Sequence, residues 1–278
     1  MKSERWIEAR AHLSDALLVK PHYAEANYCC GVCALKLKDN ASAMTDFRRV
    51  VGLDPTHYQA WSNLGVLFSQ DKQLKEALFA FREACRLRGD SWQLWQQQAV
   101  VAVELGRFDQ ALFASLRGMQ TGGEPQGPVC SLVAQAVAKD VRGAEGSSAR
   151  RLLPRLRELL DLNCARQPSE LRHWEVRIYV ERECGTRDEV GGVLKAEVRA
   201  LRETTEWTTD APTLEAFSEV VAQLVEHHMQ GGDADQIRAV AALVEDVLHL
   251  ATEKLAASPG CEALRMLQTS LRRHMDDD

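Results

Sequence analysis

Long apolar runs are missing from this sequence. Nowhere do its 278 residues approach the roughly 18–20 consecutive apolar residues that a membrane-crossing helix needs. The opening Met1-Lys2-Ser3-Glu4-Arg5-Trp6 has no apolar centre of the kind a secretory signal carries. Strand signals are absent too. Positive charge is in short supply: a net charge of −6 and a pI near 5.8 exclude a protein held mainly by nucleic-acid phosphates, which requires clustered Lys and Arg. The eight cysteines are scattered and lack the dense spacing of a secreted disulfide scaffold. These absences predict a soluble intracellular protein with free thiols, in the cytoplasm and secondarily the nucleus. On that reading Asn40-Ala41-Ser42 is a polar turn between helices and not a glycosylation site.

What is present is a repeat. Trp61, Leu64, Gly65 and Phe68, followed by Ala77 and Phe81, match W-x2-L-G-x2-Y…A-x3-F, the helix-turn-helix signature of the tetratricopeptide repeat, with Phe replacing Tyr. Gly65 and Ala77 are small where two backbones come close, and the larger residues fill the space around that crossing. Ala9, Ala43, Ala77 and Ala111 recur every 34 residues, which is the repeat length. Gly31 and Gly65, Phe47 and Phe81, and Pro21 and Pro55 keep the same phase.

The expected architecture is an all-α tetratricopeptide-repeat α-solenoid superhelix with a C-terminal irregular helical region. Residues 1–23 supply the second helix of an incomplete repeat, 24–121 three repeats, and 122–278 a helical capping region that packs on the end of the array. A repeat cannot bury its apolar face alone, so Leu13 and Leu17 call for cover by further N-terminal repeats of a longer protein or by another chain. The third repeat is degenerate: Gln98-Ala99 replaces Leu-Gly, and Ser115 replaces the late Phe. The run Thr121 to Pro128 cannot continue a helix. Beyond it the 34-residue period is lost, but helical stripes persist in Leu214, Phe217, Val221, Leu224 and Val225, and in Ile237, Val240, Val244, Leu248, Ala251 and Leu255. Helices are expected near 129–142, 148–163, 169–184, 187–204, 213–230, 234–257 and 260–274, with Asp210 and Asp233 at two of the starts.

Ser91-Trp92-Gln93-Leu94-Trp95, the Leu171-Arg172-His173-Trp174 segment leading to Ile178-Tyr179, and Trp207 preceding Phe217-Ser218-Glu219-Val220-Val221 resemble, in that order, the C-terminal third of the tetratricopeptide repeat domain 27 family. The resemblance implies an all-helical assembly factor without catalytic residues. It links the chain to chaperone-assisted assembly of spliceosomal small nuclear ribonucleoproteins, notably the U-five particle, and in fungi to growth and cell-wall integrity. A spliceosomal protein is the partner it implies, and a long N-terminal region is implied as well.

Repeat arrays line a concave wall with the first helix of each repeat, and partners lie there as extended peptides or helices. Counted from Ala24, Tyr58 and Trp92, the second, fifth, sixth, ninth and twelfth places face that groove. They are Glu25, Tyr28, Cys29, Val32 and Leu35; Gln59, Ser62, Asn63, Val66 and Ser69; and Gln93, Gln96, Gln97, Val100 and Val103. The groove is therefore rich in amides. Only Asn63 stands where carboxylate-clamp repeats hold a chaperone tail with Lys and Arg, and amides do not replace that charge-assisted contact.

Other candidates are weaker. Cys30-x-x-Cys33 has no second pair to complete a tetrahedral metal site, and Cys30 occupies the repeat's Leu position. His227 and His228 are adjacent, so they point about 100° apart on a helix and cannot share a metal as an i, i+4 pair could; His228 is expected to join the apolar stripe and His227 to face water. Arg150, Arg151, Arg155 and Arg157, with Arg166 and Arg172, form the most basic stretch, a candidate RNA or partner patch. Glu158, Asp161 and Glu170 interleave with them, which reads as a solvated helical face. The sequence thus predicts no cofactor, no metal and no catalytic residues. It predicts a non-enzymatic protein-binding scaffold or assembly factor; the alternatives are a permanent structural subunit of a large complex and an RNA-contacting module through residues 150–157.

Overall fold

The computed structural model describes residues 2–124, 127–143, 151–168, 170–203, 211–231, 234–250 and 258–276. Among the described residues there are fourteen helices and no strand. In chain order they are α1 (Lys2–Val19), α2 (Ala24–Lys36), α3 (Asn40–Leu53), α4 (Tyr58–Gln70), α5 (Leu74–Leu87), α6 (Trp92–Glu104), α7 (Phe108–Gln120), α8 (Gly127–Gly143), α9 (Leu153–Arg166), α10 (Leu171–Cys184), α11 (Arg187–Glu203), α12 (Ala211–Gly231), α13 (Ala234–Leu250) and α14 (Pro259–Asp276). Asp210, Asp233, Trp207, Arg150, Ala251 and Leu255 lie outside the described residues.

The chain divides into two compact units, Met1–Val133 and Ala134–Asp278. In the first, α2–α3, α4–α5 and α6–α7 pack as hairpins, each hairpin stacks on the next, and α1 packs on α2. The close crossing has a clear steric origin. A Cβ on Gly65 would lie 2.8 Å from Cε1 of Phe81, and one on Gly31 would lie 2.7 Å from Cε1 of Phe47, so the ring occupies the space that the missing side chain vacates. In the third hairpin the ring has become Ser115 and the glycine Ala99, and both are buried. The two changes compensate in volume, as a close-packed crossing requires.

Each hairpin turns by the same device. Lys38, Lys72 and Gly106, spaced one repeat apart, take φ of 62°, 59° and 69°. The following amide donates back to a carbonyl five residues earlier: Asp39 to Ala34 at 2.9 Å, Gln73 to Phe68 at 2.8 Å and Arg107 to Ala102 at 2.8 Å. This is the Schellman termination, in which a left-handed residue closes the last turn. Of the helices that follow these turns, α3 starts on a side-chain acceptor, Asp39 for the amide of Ser42, and between hairpins His57 caps α4 in the same way by accepting from the amide of Ala60. A further pin recurs between hairpins: Trp61 Nε1 donates to the Pro55 carbonyl at 2.9 Å, and Trp95 Nε1 to the Gly89 carbonyl at 2.8 Å. The first unit runs past residue 121 because Val129, in the first turn of α8, packs against the cluster formed by Ala84, Cys85, Leu94, Trp95, Ala99 and Ala114. On α1, Leu13 and Leu17 are half-buried, while Ile7, Leu18 and Val19 are exposed.

The second unit has a core built on Trp174, Ile178, Leu194, Leu214, Phe217, Val221, Val244 and Leu264, so the described parts of both predicted stripes face inward. α14 supplies Cys261, Leu264 and Leu271 from one face and packs on α12 and α13. The hairpin α10–α11 keeps an inner spacing of the repeat. Trp174 Nε1 donates to the Pro168 carbonyl at 2.9 Å, as Trp61 does to Pro55, and Val190 and Leu194 are buried where Ala77 and Phe81 follow Trp61.

Candidate functional site

The first helices of the three hairpins, α2, α4 and α6, each bury one stripe and leave another open. Leu64, Gly65, Leu67 and Phe68 are buried on α4, and Leu94, Trp95, Gln98 and Ala99 on α6. None of the groove places named from the sequence is buried. Gln59, Val66, Gln93, Gln97 and Val100 are exposed, and Tyr28, Ser62, Asn63 and Gln96 are half-buried. Val66 and Val100, one repeat apart, are among the exposed large apolar side chains. The period that spaces the core residues also spaces this open face.

Its α2 end is preorganised. The Tyr28 ring stacks 4.6 Å from His57 and 5.7 Å from Phe47. Burial raises the Tyr28 phenol above its ordinary value, and a hydrogen bond with Asn63 pulls the other way. Asn63 therefore already bridges two hairpins through Tyr28. Glu25, the one charged groove place, lies 3.6 Å from His57 Nε2. Beside it the Arg88 guanidinium sits 4.8 Å from the Tyr58 ring centroid and hydrogen-bonds the phenol oxygen.

The second helices show a different surface that the sequence reading did not single out. Phe79 on α5 and Phe113 on α7 are exposed and one repeat apart. They meet Trp61 and Trp95 edge-on, with ring centroids 5.8 and 5.9 Å apart. Their spacing of 34 was the available signal.

The arginine stretch separates into two kinds of residue. Arg151 and Arg155 are exposed. Arg157 binds two carboxylates, Glu181 at 2.5 Å and Glu189 at 3.0 Å. Glu181 is buried and also pairs with Arg177, which reaches Asp161 at 2.7 Å. Arg157 is thus engaged within the second unit, a physical reason against its serving a phosphate.

Cys30 and Cys33 are buried in the α2 core, and burial raises both thiols. All eight cysteines are free. Among the described residues no group of three His, Cys, Asp or Glu is placed to share a metal ion. His228 is buried on α12. His227, expected to face water, is half-buried instead: a Cβ on Gly191 would come within 2.7 Å of its Nε2, so the ring fills the space above that glycine. Burial, then Arg187 and Lys195, lower the His227 pKa, and Arg187 donates to its carbonyl at 2.6 Å. No described helix is long and apolar enough to cross a membrane.

Comparison with known proteins agrees with this geometry over the first unit. Profiles of the tetratricopeptide repeat match residues 1–57 and 58–91. Among similar proteins, the tetratricopeptide repeat-containing protein trd-1 of Caenorhabditis elegans is 27% identical over 114 residues, covering 41% of this chain and 15% of the relative. The protein "Essential for maintenance of the cell wall protein 1" of Saccharomyces cerevisiae is 33% identical over 104 residues, 37% of this chain and 12% of the relative. A TPR repeat-containing protein of Schizosaccharomyces pombe is 23% identical over 241 residues, 82% of this chain and 28% of the relative. The chain spans less than a third of the length of these curated relatives. Among solved structures, YrrB, described as a TPR protein with an unusual peptide-binding site, aligns with a TM-score of 0.48 at 14% identity, over 69% of this chain and 93% of its own. The C-terminal part of a TPR protein from Cytophaga hutchinsonii aligns at 0.47 and 11% identity, over 95% and 96%. The described residues are all-α, and the first unit carries tetratricopeptide repeats over residues 1–91.

Proposed function

We propose that the chain is a non-enzymatic protein-binding scaffold whose groove, formed by the open faces of α2, α4 and α6, holds a partner as an extended peptide or a helix. One observation carries this reading: Gln59 and Gln93, and Val66 and Val100, stand at repeat-equivalent places and are exposed, as is Gln97, while their neighbours on the same helices are buried. Exposed amides in register offer donors and acceptors to a partner backbone, and the valines offer apolar contact.

In its finer form the proposal is an assembly factor for the spliceosomal U-five small nuclear ribonucleoprotein, supported by the family resemblance in Ser91–Trp95, Leu171–Trp174 and Phe217–Val221. The test is affinity purification from the native cell, comparing wild type with the combined Gln59→Ala, Asn63→Ala, Gln96→Ala and Gln97→Ala variant, whose helicity is first checked by circular dichroism. Loss of one abundant partner is expected, and a spliceosomal protein in that band supports the finer form. An unchanged set of partners overturns the groove.

A further inference from the structure

A cavity of about 350 Å³ opens between α10, α11 and α12 in the second unit. Four glutamates line it: Glu175 and Glu183 from α10, Glu197 from α11 and Glu219 from α12. Three of them would be unremarkable, since Glu175 and Glu219 are exposed at the mouth and Glu183 is half-buried. Glu197 differs. It is 2% exposed, and its Oε2 is shut away from solvent with no hydrogen-bond partner. A buried carboxylate oxygen left in that state is costly, whereas a donor-bearing cation in the cavity that Glu197 lines would satisfy the carboxylate once its soft terminal torsion turns the group towards the opening. The walls beside it are apolar: Leu171, Ile178 and Val220.

We propose that this cavity binds an organic cation, a guanidinium or ammonium group on an apolar stem, with Glu197 as its counter-ion at the base. The apolar walls match the methylene stem of such a group, as they would that of a lysine or arginine side chain. The rim glutamates add negative potential at the entrance. No three metal-binding groups converge here, which favours a cation with several N–H donors over a metal ion. Arg182 also lines the cavity, but it is exposed and donates to Gln223 Oε1 at 3.0 Å, so the resident cation is turned to the rim.

Burial, followed by the charge of Glu175, pushes the Glu197 carboxyl up to about 8. The remaining titratable neighbours are Tyr179, Arg182 and Glu183 on α10, Glu219 on α12 and, from α9, Cys164, whose thiol is itself raised to about 12, chiefly by burial. Binding a cation favours the ionised carboxyl, so it releases a proton. The affinity therefore rises about tenfold or more from pH 6 to pH 8. This site is independent of the groove on the first unit.

The experiment titrates the full chain with four probes and follows the amide resonances of α10 to α12 by NMR. Agmatine represents a free organic cation, N-acetyl-arginine methylamide a chain-borne side chain, the matching citrulline compound a neutral shape control, and magnesium chloride a metal. Saturable shifts with both cationic probes, absent with citrulline and stronger at pH 8 than at pH 6, are expected. Glu197→Gln removes a buried charge without changing shape and should weaken binding at least about tenfold at pH 8. Glu219→Gln at the exposed rim should weaken it severalfold, and Arg182→Gln should tighten it. Tighter binding of the capped arginine assigns the site to a partner's side chain, and equal or tighter binding of agmatine assigns it to a free base. Equal response to citrulline, a response to magnesium alone, unchanged binding in Glu197→Gln, or no saturable shift overturns the proposal.

Discussion

At the scale of single residues, this solenoid is set by where a side chain is withheld. Gly65 leaves the room that the Phe81 ring occupies, with aromatic carbons 2.8–2.9 Å from the position of an added Cβ. A fully buried ring enclosed by the core has nowhere to move, so Gly65→Ala should destabilise the first unit by about 1–3 kcal/mol. Gly52 is the matched control: it is helical, exposed, and has nothing within 4 Å of an added Cβ. There the same substitution only restricts the unfolded chain and should gain about 0.5 kcal/mol. Urea denaturation of both variants measures the difference, and equal effects would show that the Gly–Phe crossing does not constrain the stack. Ala99 with Ser115 shows that the chain tolerates either partner of the crossing provided that the other compensates.

Among the elements, α6 departs most from its equivalents. Gln98 stands where α4 has Leu64 and α2 has Cys30; it is 4% exposed, and its Oε1 is buried without a hydrogen-bond partner. Removing that oxygen should help: Gln98→Leu should stabilise the first unit by about 1–2 kcal/mol, seen as a rise of several degrees in the melting temperature. A fall would mean that α6 needs the amide for a contact that leucine breaks. This helix also illustrates what can be read from sequence. The α2–α7 hairpins and the open face were legible because every hairpin reuses one register, so a single well-matched copy dates the rest. The α10–α11 hairpin was not, because Arg177-Ile178 replaces Leu-Gly, Val190 replaces Ala, and Trp174 falls off the 34-residue count from Trp95. What survived was the Pro168-to-Trp174 spacing, a backbone carbonyl paired with an indole, which a search for small residues overlooks. His227 was hidden for a different reason: its ring fills the space above Gly191 on α11, and no periodicity along α12 reports that.

For the molecule as a whole, the distribution of charge bears on which partners the proposed groove would admit. The chain carries a net −6, the groove places contain Glu25 and no Lys or Arg, and Asn63 is already engaged with Tyr28. On the proposed reading, a partner held there is recognised by amide hydrogen bonds and valine contacts. Such contacts are short-ranged and little screened, unlike the cation clamp that retains an acidic C-terminal tail. A peptide ending in several carboxylates should therefore bind no tighter than a neutral peptide of the same length. For a partner that does bind, raising the salt from about 0.05 to about 0.3 M should change the affinity by less than about twofold, because no ion pair is being screened. Fluorescence anisotropy with labelled peptides reads both quantities. Tight, salt-sensitive capture of the acidic peptide that disappears in Asn63→Ala would place a working carboxylate clamp on α4 and reverse the assignment of the groove's chemistry. Slight salt dependence together with loss of binding in the four-amide variant would fix recognition on the uncharged face.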